Sequence, residues 1–490
     1  MNPKTSRVAV NFILEAIVKA ARRTIDQIRE DFKSDPHIPI YIHHPDGGKL
    51  MISREAHKRL VELAKQFLED DPSKKDVTDL DKFVPLVGTE LVRTFILEDA
   101  KVTIENIEPA LAKAYEILTA KHEAITHYIP CAAMSSDEAK RFKIGPVEFV
   151  PQKEFFDELA EELENYPELA AKRGAEALAA WQGADRSRLR SIDDFRREGQ
   201  KFAEAVKSYY EQFSWVVVVQ VPPCSKSVSQ RKAAFAARGA LNIIKLLLGA
   251  SASDRMCIAE DSADPLRFQR LARGEDGELQ ISGHWRLNGN PVKGHWDDLL
   301  QSEGRRDVVA LNRLFEIVVG SPRPPYLCEK FFRALSWFGD AVTEPSPGPR
   351  IVKFVSAIES IVGTGKAAAG EEEVKVTTVV VSRASCLYGD AMGIDRKAAE
   401  KKMNEIYNWR SGLVHGSLSF FDESLARKAS ETADVTRMIL LMGLSLYECV
   451  GLDDASFNDE RLKQAYVIIA NQAGEKGALP SADEAGPSEA

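Results

Sequence analysis

Residues 404–416 read NEIYNWRSGLVHG, and the setting of this stretch decides how the C-terminal third of the chain folds. It ends the fifth of six consecutive segments whose apolar residues recur at helical spacing. In the first, Leu311, Leu314, Phe315 and Val318 lie on one stripe, and SPRPP (321–325) closes it because proline cannot continue the hydrogen-bond ladder. The second carries Phe331, Ala334, Leu335, Phe338 and Val342 and is closed by EPSPGP. The third carries Ile351, Phe354, Val355, Ile358, Ile361 and Val362 and stops at Gly363. A fourth runs over about 374–388, the fifth over 395–415 and the sixth over 422–450, with short connections throughout. That pattern predicts an up-and-down helical bundle over 304–455.

Upstream the texture is different. Residues 1–100 alternate helical patterns, around 6–32 and from Ser53 and Asp81, with one extended stretch, IPIYIHH. Ser53 is a candidate N-cap, although Ala56 rather than Glu stands three residues on. Over 101–303, ITHYIPCAAM (125–134), FKIGPVEFV (142–150) and SWVVVVQVPP (214–223) are rich in β-branched and aromatic residues and bounded by Pro or Gly, as strands are. Helical patterns at 153–182, 192–212 and 229–249 separate them, and ELQISGHWRLNGNPVKGHW (278–296) reads as a hairpin turned by its Asn-Gly pair. Residues 471–490 have no apolar period and are expected to form a disordered tail. The fold class expected is α+β, mostly α, with a mixed α/β N-terminal region before the bundle.

Composition narrows the function classes. With 490 residues, 44% hydrophobic and 28% charged, the chain is an ordinary globular sequence of two to four units. Every apolar run is broken by charge before the roughly 18 residues that span a bilayer, and the N-terminal stretch reads as an amphipathic helix rather than a leader. No membrane partner and a cytoplasmic location are the default expectations. The six cysteines are scattered without a C-x-x-C pair, which signals neither zinc nor disulfides, and no cofactor is indicated. A net charge of -9 disfavours indiscriminate coating of nucleic acid but leaves room for a local basic patch.

Arg410 and His415 form an R-x4-H pair, a spacing that a chain of this length and composition produces about once by chance. The segments around it carry more. RALSWFGDAV (333–342), FVSAIESIVG (354–363), SRASCLYG (382–389) and IYNWRSGLVHGS (406–417) follow one another in the order and at the spacings of the Apea-like HEPN domains, which residues 305–452 therefore resemble. The resemblance implies a metal-independent endoribonuclease, dimeric through the bundle, with Arg410 and His415 acting on RNA and Glu359 in the earlier helix holding Arg410. It also implies a toxin or antiviral-defence setting, with an antitoxin or sensor as a further partner. Many active members carry Asn, Asp or His after the arginine, where this chain has Ser411. Ser411, Asn408, Lys401 and Lys402 are expected to contact the RNA.

The residue types suit that chemistry. Attack of a ribose 2′-hydroxyl on phosphorus needs a proton acceptor, a proton donor for the 5′-oxygen and positive charge on the phosphorane. A histidine, with an unperturbed pKa of about 6.5, exchanges protons near neutrality, and an arginine offers a fixed fork of donors to phosphate oxygens. Positions five apart differ by about 140° around a helix, so either Arg410 reaches back along its length or Gly412 lets the helix deform. The plainer alternative is an ion-paired arginine and a histidine bonded to a carbonyl, in a non-catalytic RNA-binding or protein-interaction scaffold.

Other motifs rank lower. HEAITH (122–127) has its histidines five apart rather than four, the wrong spacing for zinc on one helix face. GTGKAAAG (363–370) lacks phosphate-loop spacing and reads as a connection. His284, Trp285, His295 and Trp296 flank the expected hairpin, where packing across strands is the ordinary role and base stacking a minority one.

Overall fold

A computed structural model describes residues 2–22, 27, 40–135, 139–180, 191–261, 267–273, 279–285, 290–291, 305–363 and 376–476. The protein is mostly helical with a small antiparallel sheet. It divides into two compact units: Met1–His127 with Gln220–Ala234, and Tyr128–Val219 with Phe235–Ala490.

In the first unit, helix α1 (Pro3–Ala21) precedes a hairpin of β1 (Ile40–His43) and β2 (Lys49–Ile52), then α2 (Arg54–Glu69), α3 (Pro72–Lys75), α4 (Leu80–Val92) and α5 (Ile104–Thr119). The expected helix at 6–32 thus begins earlier and its described part ends at Ala21. All of these but the short α3 bury one face in a common core: Val10 and Ile13 from α1, Ile42 and Ile52 from the hairpin, Leu60 and Phe83 from the helices. Ser53 is the N-cap of α2, its hydroxyl accepting from the Ala56 N–H at 3.2 Å. Ser53→Ala is expected to lower stability by about 1 kcal/mol, since it orphans that N–H; urea unfolding of the two proteins checks it.

The second unit holds a five-stranded sheet in the order β5-β6-β7-β3-β8 and a helical bundle. The strands are β3 (Glu123–Ala132), β5 (Phe142–Ile144), β6 (Val147–Pro151), β7 (Trp215–Cys224) and β8 (Cys257–Ile258), with the short β4 (Met134–Ser135) alongside. The run Val216–Val219 is apolar throughout because Val216, Val217 and Val219 are buried and Val218 half-buried, and Trp215 is fully buried with its indole N–H donating to Met134 O at 2.6 Å. Helices α6 (Gln152–Ala179) and α7 (Ile192–Tyr210) pair as a hairpin between β6 and β7. The helix α8 (Lys226–Leu248) follows β7.

The expected hairpin at 278–296 lies one strand earlier. Strand β10 (Leu279–Trp285) pairs antiparallel with β9 (Arg267–Arg273), whose arginines at every third position interrupt any strand-like apolar alternation, while β11 (Asn290–Pro291) pairs parallel with β4. The Asn-Gly pair, His295 and Trp296, and the side chains of His284 and Trp285, lie outside the described residues, as does GTGKAAAG after Gly363.

The bundle comprises α9 (Arg306–Gly320), α10 (Tyr326–Thr343), α11 (Pro347–Val362), α12 (Val376–Met392), α13 (Arg396–His415), α14 (Leu425–Val450) and α15 (Asp459–Lys476). The first six stand where the apolar stripes predict them. Phe338 and Phe354, both fully buried, meet with ring centroids 5.5 Å apart between α10 and α11. The Arg383 guanidinium donates to Val362 O at 2.8 Å, closing the C-terminus of α11 with a cation from α12. The seventh helix corrects the expectation of a tail from residue 471: α15 runs to Lys476, burying Leu462, Ala465 and Tyr466, whose spacing of three and four is itself a helical signal. Residues 477–490 lie outside the described residues.

Candidate functional site

Helix α13 carries both residues of the R-x4-H pair, and it is one continuous helix from Arg396 to His415. Asp395 caps its start by accepting from the Ala398 N–H at 3.0 Å, and Gly416, left-handed at φ 79°, ends it immediately after His415. Gly412 does not bend the helix; its carbonyl accepts the Leu418 N–H at 3.0 Å as the chain folds back over the last turn. Arg410 and His415 therefore keep the angular separation of about 140° that a regular helix imposes.

The arginine turns inward to α11. Its Nη2 stands 3.7 Å from Glu359 Oε1, with the Arg410 side chain 27% and the Glu359 side chain 18% exposed. Tyr407, one helical turn before Arg410, donates its hydroxyl to the same carboxylate oxygen at 2.9 Å, and the Arg410 guanidinium lies 5.7 Å from the centre of the Tyr407 ring. Burial, and then the bond to Glu359, push the Tyr407 phenol above its ordinary range, so it stays a neutral donor. The contact to Glu359 is too long to saturate the fork, and Arg410 Nε is buried with no hydrogen-bond partner among the described residues. A guanidinium so held retains donors for an oxyanion.

His415 lies at the exposed end of the helix, and its imidazole makes no hydrogen bond or ion pair with the described residues. The turn that follows exposes Phe420 at 58% and Phe421 at 93%, and Val414 beside His415 is 51% exposed.

The other expected contact residues divide. Asn408 and Lys401 are exposed and Ser411 is half-buried. Lys402 is engaged within the bundle, by Glu431 and by Glu405 at 3.2 Å, and lies 5.3 Å from the ring centre of Trp409. Lys428, which pairs with Asp422 at 3.6 Å, approaches the same ring at 5.8 Å. Both aromatic residues lie inside the quoted stretch IYNWRSGLVHGS, but the contact of Tyr407 with Glu359 and that of Trp409 with Lys428 are made between helices and could not be read from it.

The HEAITH histidines lie elsewhere. His122 precedes β3, and His127 within it places Nε2 2.7 Å from the buried hydroxyl of Ser229. Burial lowers both imidazoles, which keeps them neutral. Among the described residues no group of three or more His, Cys, Asp or Glu side chains is gathered as a metal site, and no helix is long and apolar enough to cross a membrane. The chain matches no family model, no curated protein and no solved structure.

Proposed function

We propose that the protein is a metal-independent endoribonuclease of the HEPN kind, cleaving RNA by transesterification from the bundle formed by α9–α15. The observation that carries this reading is the Glu359–Arg410 contact: two helices bring together an acid and an arginine 51 positions apart, leaving the guanidinium fixed but with donors to spare. In the reaction, His415 takes the proton from a ribose 2′-hydroxyl as its oxygen bonds to phosphorus. Arg410 neutralises the developing phosphorane, and the 5′-oxygen leaves with a proton from a second acid. The products are a 2′,3′-cyclic phosphate and a 5′-hydroxyl. Glu359 and Tyr407 are positioning residues for Arg410.

One chain supplies one histidine on a face turned away from Arg410, so the proposal includes a two-fold dimer in which the partner's copy completes the site. The exposed Val414, Phe420 and Phe421 support an interface at this end of α13, because neighbouring large apolar groups in solvent are characteristic of surfaces that pair. The cellular reading, a toxin or defence effector, adds the expectation that expression slows bacterial growth.

Incubating the purified protein with total RNA in the presence of EDTA tests the reading. Fragments ending in cyclic phosphate are expected, and Arg410→Lys should slow their formation by about tenfold or more, because an ammonium loses the planar fork. Intact RNA under all conditions, or an Arg410→Ala protein as active as wild type, rejects it. The absence of Arg410–His415 convergence within one chain favours the second reading, an RNA-binding scaffold; retained RNA binding without cleavage would select it.

A further inference from the structure

A second candidate site lies away from α13, where α8 packs on α10. Lys245 on α8 is only 5% exposed, and among the described residues its amine reaches two acceptors, Asn242 Oδ1 and Gly339 O, each at 3.4 Å, the outer limit for a hydrogen bond. The helices are close enough here that a Cβ on Gly339 would stand 1.9 Å from Asn242 Oδ1. Beside this contact opens a cavity of about 340 Å³ with Lys245 in its lining, apolar walls that include Leu241 and Phe332, and a charged mouth. At the mouth Arg238 is already bound by Asp261, at 2.6 and 2.7 Å, so it is not the cation a ligand would use. Asp340 also lines the cavity, and among the described residues no hydrogen bond or ion pair reaches its carboxylate.

A buried ammonium without a counter-ion is unfavourable, and the amine and the acid therefore offer complementary vacancies to one molecule. A phosphate dianion fits poorly, because a single lysine would face it together with Asp340 and Asp261. A short molecule carrying one carboxylate and one ammonium fits both ends, with methylenes against the apolar wall. We propose that this cavity binds a small zwitterion of the amino-acid class, its carboxylate on Lys245 and its ammonium toward Asp340. The site is independent of the chemistry proposed for Arg410 and His415, and it gives the protein a means of responding to a metabolite.

The electrostatics agree. Burial pushes the Lys245 amine down to about 8, against the opposing influence of Cys257, Asp340 and Asp261, while desolvation raises the Asp340 carboxyl. Lys353, itself paired with Glu344 at 2.6 Å, together with Arg238 and Glu260, completes the charged groups around Asp340, and the cations oppose that rise. Because the unfolded chain holds the lysine proton more tightly than the folded one, this group makes stability rise as pH climbs from about 8 toward 10.5. A carboxylate ligand reverses that preference, so its affinity should fall over the same interval.

Melting temperature is measured with a panel of protein amino acids and γ-aminobutyrate at millimolar concentration, with acetate and methylamine as single-charge controls. At least one zwitterion should raise the wild-type melting temperature more than either control and more at pH 7 than at pH 9. Lys245→Met should weaken its affinity roughly ten- to a hundred-fold, as loss of a hydrogen bond to a charged group does. Unliganded Lys245→Met should melt no lower than wild type, whereas a purely structural lysine predicts a lower value. Should that variant fail to fold, Asp340→Asn at the open mouth, expected to weaken binding about tenfold, decides in its place. No response to any panel member, a response equal to that of acetate, or an unchanged affinity in the substituted proteins overturns the proposal.

Discussion

His415→Ala is expected to abolish RNA cleavage while leaving the fold untouched. A positioned general acid or base contributes roughly 10²- to 10⁴-fold to a rate, and each site has only one such imidazole per chain. The same imidazole makes no bond to the described residues, so its removal should change stability by no more than about 0.5 kcal/mol. Rate and stability therefore separate, which a misfolded variant would not allow. The measurement is the initial rate of cyclic-phosphate formation, alongside a urea melt of both proteins. If two copies share one active site, mixing His415→Ala with Arg410→Ala should restore part of the activity, because mixed dimers rebuild one site with both groups. Full activity in His415→Ala removes the proposed chemistry and leaves the bundle as a scaffold.

Phe354→Ala should unfold the protein more readily than any surface change, by about 3–5 kcal/mol. The ring is fully buried and meets Phe338 across the α10–α11 contact, and deleting it removes apolar burial while leaving a cavity the packed helices can only partly close. Helix α11 also carries Glu359, so the loss should loosen Arg410 before the bundle melts. Denaturant unfolding checks the stability, and cleavage assayed well below the midpoint checks the site. A change under about 1 kcal/mol would mean that the two helices do not share this core.

The six bundle helices, the hairpin strand at Ile40–His43, the cap at Ser53 and the stretches that form β3, β5–β6 and β7 were legible in the chain because each depends on local spacing, whereas the split of 142–150 into two strands and the short β8 were not. An apolar residue every third or fourth position needs a buried face, and an unbroken β-branched run between Gly and Pro suits a buried strand. The candidate pair on α13, and Glu359 as the partner of Arg410, could be named from residue order and resemblance. Other features depend on partners far along the chain. The antiparallel match of Arg267–Arg273 with Leu279–Trp285 is a matter of pairing, and arginines at every third position of the first strand interrupt any apolar alternation. Tyr407 joins Glu359 across 48 residues, and Lys245 meets Gly339 across 94. Periodicity says which face of a helix is buried but not which helix it meets. Only the packed structure decided that Arg410 turns inward while His415 stays in solvent, and that a lysine in an apolar helix borders a cavity.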